Sequence, residues 1–235
     1  MTLQPDPKNF ARTSDMRTAL IIAAILSAGL GAMTTNCADP DLWGHVQYGR
    51  EVLRDGTLPQ TTTWSFVAEG AGWVNHENIA ELLLAWTVDT FGVVGLPVMK
   101  LILAVVILGL MMWTARLTQC EWLPIGVTVL LVASNLQFHW HFRPQILSYV
   151  SLAAMLTIWQ RAFAGPDATF GAIAVSTLGR QMRSLWLLAP LLCFWANAHG
   201  GFAAGVAILI AFHGMVSLQL LLRMGDKLLG WSGSW

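Results

Sequence analysis

The stretch Leu96-Pro-Val-Met-Lys-Leu-Ile-Leu-Ala-Val-Val-Ile-Leu-Gly-Leu-Met-Met-Trp-Thr-Ala115 decides the fold class of this chain. Lys100 is its only charged residue, and most of the others are Leu, Ile, Val, Met or Ala. An α-helix rises about 1.5 Å per residue, so about 20 apolar residues cross the hydrocarbon core of a bilayer. This stretch therefore predicts a membrane-spanning helix.

The composition of the whole chain agrees with a membrane location. Of its 235 residues, 55% are hydrophobic and only 11% are charged, whereas soluble domains carry about 25% charged residues. We interpret residues 1–235 as a single integral membrane domain, with membrane lipid as a partner. The formal net charge is zero, so nothing indicates a nucleic-acid partner.

Apolar segments recur on both sides of the opening stretch. Together with it they predict an all-α protein of about six transmembrane helices. The predicted spans are 18–33, 96–115, 123–138, 146–163, 185–198 and 202–222. Some of them are short for a bilayer.

The distribution of basic residues predicts the orientation. If the first segment, 1–17, and the last, 224–235, are cytoplasmic, nine of the 13 Lys and Arg residues lie inside. That excess agrees with the positive-inside rule. The basic residues left outside are Arg50, Arg54, Lys100 and Arg143, and we expect the Lys100 side chain to reach outward to the membrane surface.

Residues 34–95 form a large outer loop that is predicted to carry two interfacial helices. In the first, Asp39 before Pro40 is typical of a helix start, and Asp55-Gly56 of a helix end. An apolar stripe recurs at helical spacing, and it consists of Leu42, Val46, Gly49 and Leu53. This pattern favours an amphipathic helix that lies along the membrane.

The second half of the loop is predicted to hold extended chain and then another helix. Residues 58–67 are rich in β-branched and aromatic side chains, and residues 69–72 are typical of a turn. We expect Asn75 to cap the helix that follows. Glu77 and Glu81 lie one turn apart on that helix.

Polar residues concentrate at the predicted outer ends of the spans. A polar side chain among apolar residues at a membrane is costly, so these residues indicate a functional site. Besides Asp39 and Asp41, they predict a binding site formed by His45, His76, Glu77, Glu81, Arg143, Asn197 and His199. Its metal content stays open. His76, Glu77 and Glu81 are a possible ligand set for a divalent metal, but their HExxxE spacing is not that of a zincin.

Arg143 has two interpretations. Its guanidinium is suited to paired, charge-assisted bonds with a lipid phosphate. The same residue is also typical of an interfacial arginine that touches ordinary lipid headgroups. His139 and His141 precede it, and we expect them to line the water boundary.

The order of these motifs resembles a bacterial family of polytopic proteins related to the GT-C glycosyltransferases. The residues that carry the resemblance are Asp39-Pro-Asp-Leu-Trp-Gly-His45 with Gly49, Trp73-Val-Asn-His-Glu77 with Glu81, Arg143-Pro144, and Trp195-Ala-Asn-Ala-His-Gly-Gly201. It extends over about residues 18–222. The related enzymes include the dolichyl-phosphate-mannose mannosyltransferase and lipid A arabinosyltransferase types.

The resemblance implies a function at the outer face of the bacterial cytoplasmic membrane. Such enzymes take a sugar from a polyprenyl-phosphate carrier, with an acidic catalytic residue soon after the first span. Asp39 and Asp41 occupy that position, so the resemblance implies that one of them is the catalytic base and that Arg143 binds the lipid phosphate.

The chain also departs from the family pattern. Gly44 stands where the family usually has a second Trp, Thr62 lies near a position that is often Asp, and the enzymes are usually longer, with more spans. The chain is therefore expected to correspond to the N-terminal half of such an enzyme, as a fragment, as one part of a split protein, or as a shortened relative without catalysis. The alternative is a non-catalytic subunit of a larger membrane complex that keeps this half-fold.

Overall fold

The computed structural model describes residues 7–34, 38–163 and 182–228. The helices in these ranges are α1 (Pro7–Ala32), α2 (Leu42–Asp55), α3 (Asn78–Phe91), α4 (Gly95–Leu117), α5 (Trp122–Leu136), α6 (Gln145–Phe163), α7 (Leu188–Ala196) and α8 (Phe202–Leu228). Short 3-10 segments follow α5 and precede α7, at Gln137–His139 and Met182–Leu187. The only β-pairing in the described residues is an isolated bridge between Thr61 and Gly72. The predicted all-α class is confirmed.

Within the described ranges, four helical segments are long and apolar enough to cross a membrane, which confirms a multi-pass membrane protein. They are Asp15–Ala32, Gly95–Leu117, Trp122–His139 and Gln145–Phe163, and they coincide with the first four predicted spans. Two shorter apolar helical segments, Arg183–Ala196 and Phe202–Leu218, coincide with the other two. Six spans therefore remain a prediction.

Helix α1, which precedes the outer loop, packs against α4 and α5 in one apolar cluster. Leu108 of α4 and Val129 of α5 are buried at its centre, with Leu26 and Leu30 of α1 packed beside them. Gly29 lets α1 approach closely, since a Cβ there would lie 2.8 Å from a methyl group of Leu108. This packing places the start of the outer loop beside α4 and α5.

Helix α7 returns the chain towards the outer loop. Leu188 at its beginning packs in a cluster with Trp159 near the end of α6, while Trp195 at its end bonds to Ser148 near the start of α6. The two helices therefore run antiparallel. The 3-10 segment and α7 together extend about 25 Å, because 3-10 turns rise more steeply than α-helical ones.

In the outer loop, α2 crosses α3 at very short range. Gly49 permits the approach, because a Cβ at this position would lie 2.1 Å from the carbonyl oxygen of Glu81. Leu42 and Val46 are buried against Leu84 in the same interface. Leu42, Val46 and Gly49 of the predicted stripe are thus packed against α3, whereas Leu53 is 54% exposed. An orientation of this stripe towards the membrane remains a prediction.

The predicted helix ends are mostly correct. Gly56 ends α2 with a left-handed backbone (φ 66°) and an N–H that bonds to Val52. Asn75 does not occupy the cap position of α3, which belongs to Glu77. Instead its side-chain oxygen accepts the N–H of Glu77 at 2.8 Å in the turn that leads into the helix, because α3 begins later than the sequence pattern indicated.

Lys100 corrects a further expectation. Its side chain is not directed to the membrane surface but is only 2% exposed. Its Nζ donates to the carbonyl oxygen of Trp140 at 2.7 Å and lies 4.4 Å from the centre of the Phe142 ring. Those partners replace water around the ammonium group, so Lys100 holds the segment that leads to Arg143.

Candidate functional site

Residues from separate parts of the chain line an open cleft of about 500 Å³. They come from the start of α2, the turn before α3, the segment before α6 and the turn after α7. The polar residues that line the cleft are Asp41, His45, Tyr48, Glu77, Arg143, Gln145 and His199. Five of these were predicted site residues, and their convergence in one cleft is confirmed.

Arg143 forms ion pairs with both acids of the first motif. Its Nε lies 2.5 Å from Oδ2 of Asp39, and its Nη2 lies 3.4 Å from Oδ2 of Asp41. The guanidinium has five N–H donors, so these contacts leave some of them able to bind a ligand. Asp39 is nearly covered, whereas the Asp41 side chain is 69% exposed.

Asp39 was predicted to cap α2, but the cap position belongs to Asp41 and the helix begins at Leu42. The Oδ1 of Asp39 accepts the N–H of Asp41 at 3.0 Å, in the turn that leads into the helix. Burial opposes ionisation of the Asp39 carboxyl, but the hydrogen bonds from Arg143 and the Asp41 N–H outweigh it and lower its pKa below the ordinary value. Asp39 is therefore held as a carboxylate with a partner on each of its two oxygens.

On the other side of the cleft, His45 faces two glutamates at the start of α3. Its Nδ1 lies 3.2 Å from Oε1 of Glu81 and 3.8 Å from Oε2 of Glu77. Burial of the ring opposes protonation, but the bond to Glu81 and the charges of the acids around it raise the pKa of His45 above its ordinary value. His45, Glu77 and Glu81 each offer one ligand atom, and these three atoms lie within 4.8 Å of one another.

Glu81 lies beneath the cleft rather than in its wall. It is 2% exposed, and its second oxygen accepts a bond from Nδ2 of Asn75 at 2.5 Å. Asn75 was predicted only as a cap, yet it holds the carboxylate of a site residue. Asn at a helix start has both uses, so the sequence carried no signal to separate them.

His199 is held by two groups, one of them far away in the sequence. Its Nδ1 accepts the N–H of Gly201 at 3.0 Å and lies 2.8 Å from Oγ of Ser148. Trp195 donates its indole N–H to the same Ser148 oxygen at 2.7 Å. In the neutral ring the proton must then be on Nε2, which lies 3.7 Å from Oε1 of Glu77.

The surroundings keep the His199 ring neutral. Burial, with the nearby His76 and His45, lowers its pKa below the ordinary value, although Glu77 acts in the opposite direction. The ring therefore offers the cleft an N–H donor. Ser148 could have been found only from the tertiary contact, because 51 residues separate it from His199.

Two predicted site residues lie elsewhere. Asn197 bonds through its side-chain Nδ2 to the carbonyl oxygen of Cys193, one turn earlier, at 2.8 Å, so it serves its own helix and not the cleft. Its backbone oxygen accepts the N–H of Ile79 and joins α7 to α3. His76 lies at the rim of the cleft, where its side chain is 57% exposed and 4.0 Å from Glu77. The place beside both glutamates that was predicted for His76 is occupied by His45.

The two histidines before Arg143 do not line the cleft. The His139 side chain is exposed, and its carbonyl oxygen accepts a bond from Gln145. His141 bonds to the carbonyl oxygen of Phe138 at 3.1 Å. Both belong to the turn that carries Arg143, and their place at the water boundary of the membrane remains a prediction.

In comparisons with known proteins, no family model, no curated protein and no solved structure matches this chain. Its function is therefore inferred from the cleft itself.

Proposed function

We propose that the chain is a GT-C-like glycosyltransferase, or half of one, that transfers a sugar from a polyprenyl-phosphate carrier at the outer face of a bacterial cytoplasmic membrane. The observation that carries the proposal is the pairing of Arg143 with Asp39 and Asp41 at the edge of the cleft. Such a reaction needs two groups side by side. One is a cation that binds the phosphate, and the other is a carboxylate that accepts the proton of the acceptor hydroxyl.

The contacts of Asp39 and Asp41 differ, and they indicate a separate role for each acid. Asp39 is committed to Arg143 and to the start of α2, so we assign it to holding the arginine. Asp41 is mostly exposed and has the longer contact with Arg143, so it is the better base. In this mechanism Asp41 accepts the proton of the acceptor hydroxyl, the hydroxyl oxygen attacks the anomeric carbon, and the polyprenyl phosphate leaves towards Arg143.

An apolar groove of about 480 Å³ lies between α3 and α4, near the cleft. The crevice between them shares Arg143 and Pro144 with the cleft, and Leu83, Met99 and Leu103 with the groove. Its volume is only about 10 Å³, so it does not admit a prenyl chain as it stands. The proximity of a polar cleft and an apolar groove supports an amphipathic ligand.

Binding of a short-chain polyprenyl phosphate to the purified full chain tests the proposal. We expect Arg143→Ala to weaken binding by about 10–100-fold, since charge-assisted bonds contribute about 1.5–3 kcal/mol. Arg143→Lys keeps the charge without the paired geometry, so it should weaken binding less. Arg54→Ala is the matched control, because Arg54 is exposed and pairs only locally with Asp55. Wild-type protein that does not bind polyprenyl phosphate would overturn the proposal.

A non-catalytic membrane subunit is the second candidate, and one observation favours it. The Asp39–Arg143 ion pair joins the start of α2 to the segment before α6, as expected if the motif only stabilises the outer loop. In that case Arg143→Ala should lower thermal stability while polyprenyl phosphate binds neither to the wild type nor to the variant.

A further inference from the structure

We propose that His45, Glu77 and Glu81 form a binding site for one divalent transition-metal ion between α2 and α3, beside the cleft. Two atom pairs are already near the required spacing. Ligands on a Zn²⁺ or Mn²⁺ ion, bound at about 2.0–2.2 Å, lie roughly 3–3.5 Å apart. Nδ1 of His45 is 3.2 Å from Oε1 of Glu81 and 3.8 Å from Oε2 of Glu77, so a shift of a few tenths of an ångström is enough for these pairs.

The local structure holds the three ligands in place. Glu77 and Glu81 lie one turn apart at the start of α3, so their carboxylates share one face. His45 lies on the first turn of α2, and the close approach at Gly49 fixes that helix against the backbone of Glu81. Asn75 holds the remaining oxygen of Glu81. Such outer contacts orient metal ligands in known sites.

The charges of the two glutamates are a separate indication. In the part of the chain that the structure describes, Glu77 and Glu81 form their ion pairs with histidines, and neither lysine nor arginine takes part. Arg143, the cation that lines the cleft, forms its ion pairs with Asp39 and Asp41. The Glu81 side chain is 3% exposed, and a buried carboxylate is costly unless a cation compensates it.

His199 acts on this site without being a ligand. Its Nδ1 accepts the N–H of Gly201, so the protonated Nε2 faces Oε1 of Glu77 at 3.7 Å. A donor on Oε1 leaves Oε2 of the same carboxylate directed at His45. One imidazole and two carboxylates suit Mn²⁺ or Zn²⁺ better than softer ions. Three protein ligands leave coordination positions open towards the cleft, as catalytic metal sites do.

The site itself is independent of the reaction assigned to the cleft. The use of the bound ion rests on the proposed function: a divalent cation there supplies positive charge for a phosphate in a cleft where carboxylates outnumber arginines. Metal binding is measured without any substrate. The metal site can therefore be disproved while the transferase proposal stands, and the transferase proposal can fail while the metal site stands.

Mn²⁺ and Zn²⁺ binding to the purified full chain in neutral detergent tests the inference. We expect one tight ion per chain by equilibrium dialysis, and electron spin-echo spectra of the Mn²⁺ form should show coupling to an imidazole nitrogen. His45→Gln should abolish that coupling, and both His45→Gln and Glu77→Gln should weaken binding at least about tenfold.

Glu69→Gln is the matched control, because Glu69 is an exposed acid of the same loop, and it should bind like the wild type. Glu81 is too deeply buried to be the sole test, so the role of the carboxylates is tested with Glu77→Gln, since the Glu77 side chain is 21% exposed. Far-ultraviolet circular dichroism of each variant must match the wild type. Wild-type protein that retains neither ion, or binding in His45→Gln and Glu77→Gln equal to the wild type, would overturn the inference.

Discussion

Asp39 and Asp41 differ in what they contact, although one residue separates them. Asp39 bonds to Arg143 and to the N–H of Asp41, while Asp41 keeps an exposed carboxylate at the cleft. The sequence placed both acids in one motif and left the choice of base open. Their surroundings favour Asp41, since a base needs a carboxylate that a hydroxyl can reach.

The first prediction separates these two roles. Asp41→Asn should lower sugar transfer by roughly 10²–10⁴-fold, because it removes the proton acceptor, and should leave polyprenyl phosphate binding intact. Asp39→Asn should keep the turn before α2, since an Asn side-chain oxygen can also accept the N–H of Asp41, but should weaken phosphate binding through Arg143. Transfer and binding assays on the same preparations measure both effects. Full transfer by both variants would contradict the assignment of a base to this motif.

A second prediction follows from the lowered pKa of Asp39. A depressed folded-state pKa contributes stability that is present above the ordinary value of 3.8 and is lost as pH falls through the lower folded value. The Tm of the wild type in neutral detergent should therefore fall as pH decreases below about 4. Asp39→Asn should show a smaller fall over that range, whereas Glu69→Gln should follow the wild type. Parallel curves for Asp39→Asn and wild type would show that the ion pair contributes no stability.

At the scale of the elements, the contact between α2 and α3 positions the acidic side of the cleft. Gly49→Ala should destabilise the outer loop by about 1–3 kcal/mol or more, because the new methyl group meets backbone rather than a movable side chain. Gly44→Ala is the control on the same helix. Nothing lies within 4 Å of a Cβ at Gly44, so that change should be neutral or stabilising by about 0.5–1 kcal/mol. Thermal unfolding in detergent measures both.

The same pair of variants bears on the metal site. A displaced α2 moves His45 away from Glu81, so Gly49→Ala should also weaken Mn²⁺ binding, while Gly44→Ala should not. Equal stability and equal metal binding in the two variants would mean that the helices do not need their close approach.

For the whole molecule, the predicted topology has six spans with both ends cytoplasmic. Reporter fusions after Gly56 and Asn135 should report an outer location, and a fusion after Arg183 an inner one, as the distribution of basic residues requires. The direction of α7 agrees with this topology, because α7 runs antiparallel to α6 and ends at the cleft. An inner signal from the loop that contains Gly56 would contradict the outer placement of the whole cleft.

Several features followed from the sequence alone because local chemistry decides them. The apolar stretch 96–115 predicted a span that the structure contains as Gly95–Leu117. Gly56 predicted the end of α2 correctly, because a left-handed backbone depends on a few neighbouring residues, whereas Asp39 before Pro40 placed the start of the helix two residues too early. The position of polar residues at the ends of predicted spans suggested that they meet, and five of them line one cleft.

Tertiary structure alone decided which of those polar residues meet. His45 and not His76 faces Glu81, since the fit of α2 on α3 at Gly49 sets which turn approaches which. Asn197 bonds to its own helix. Lys100, expected at the surface, is buried beside Trp140. These outcomes depend on packing between segments far apart in the chain, and spacing along a single helix carries no information about it.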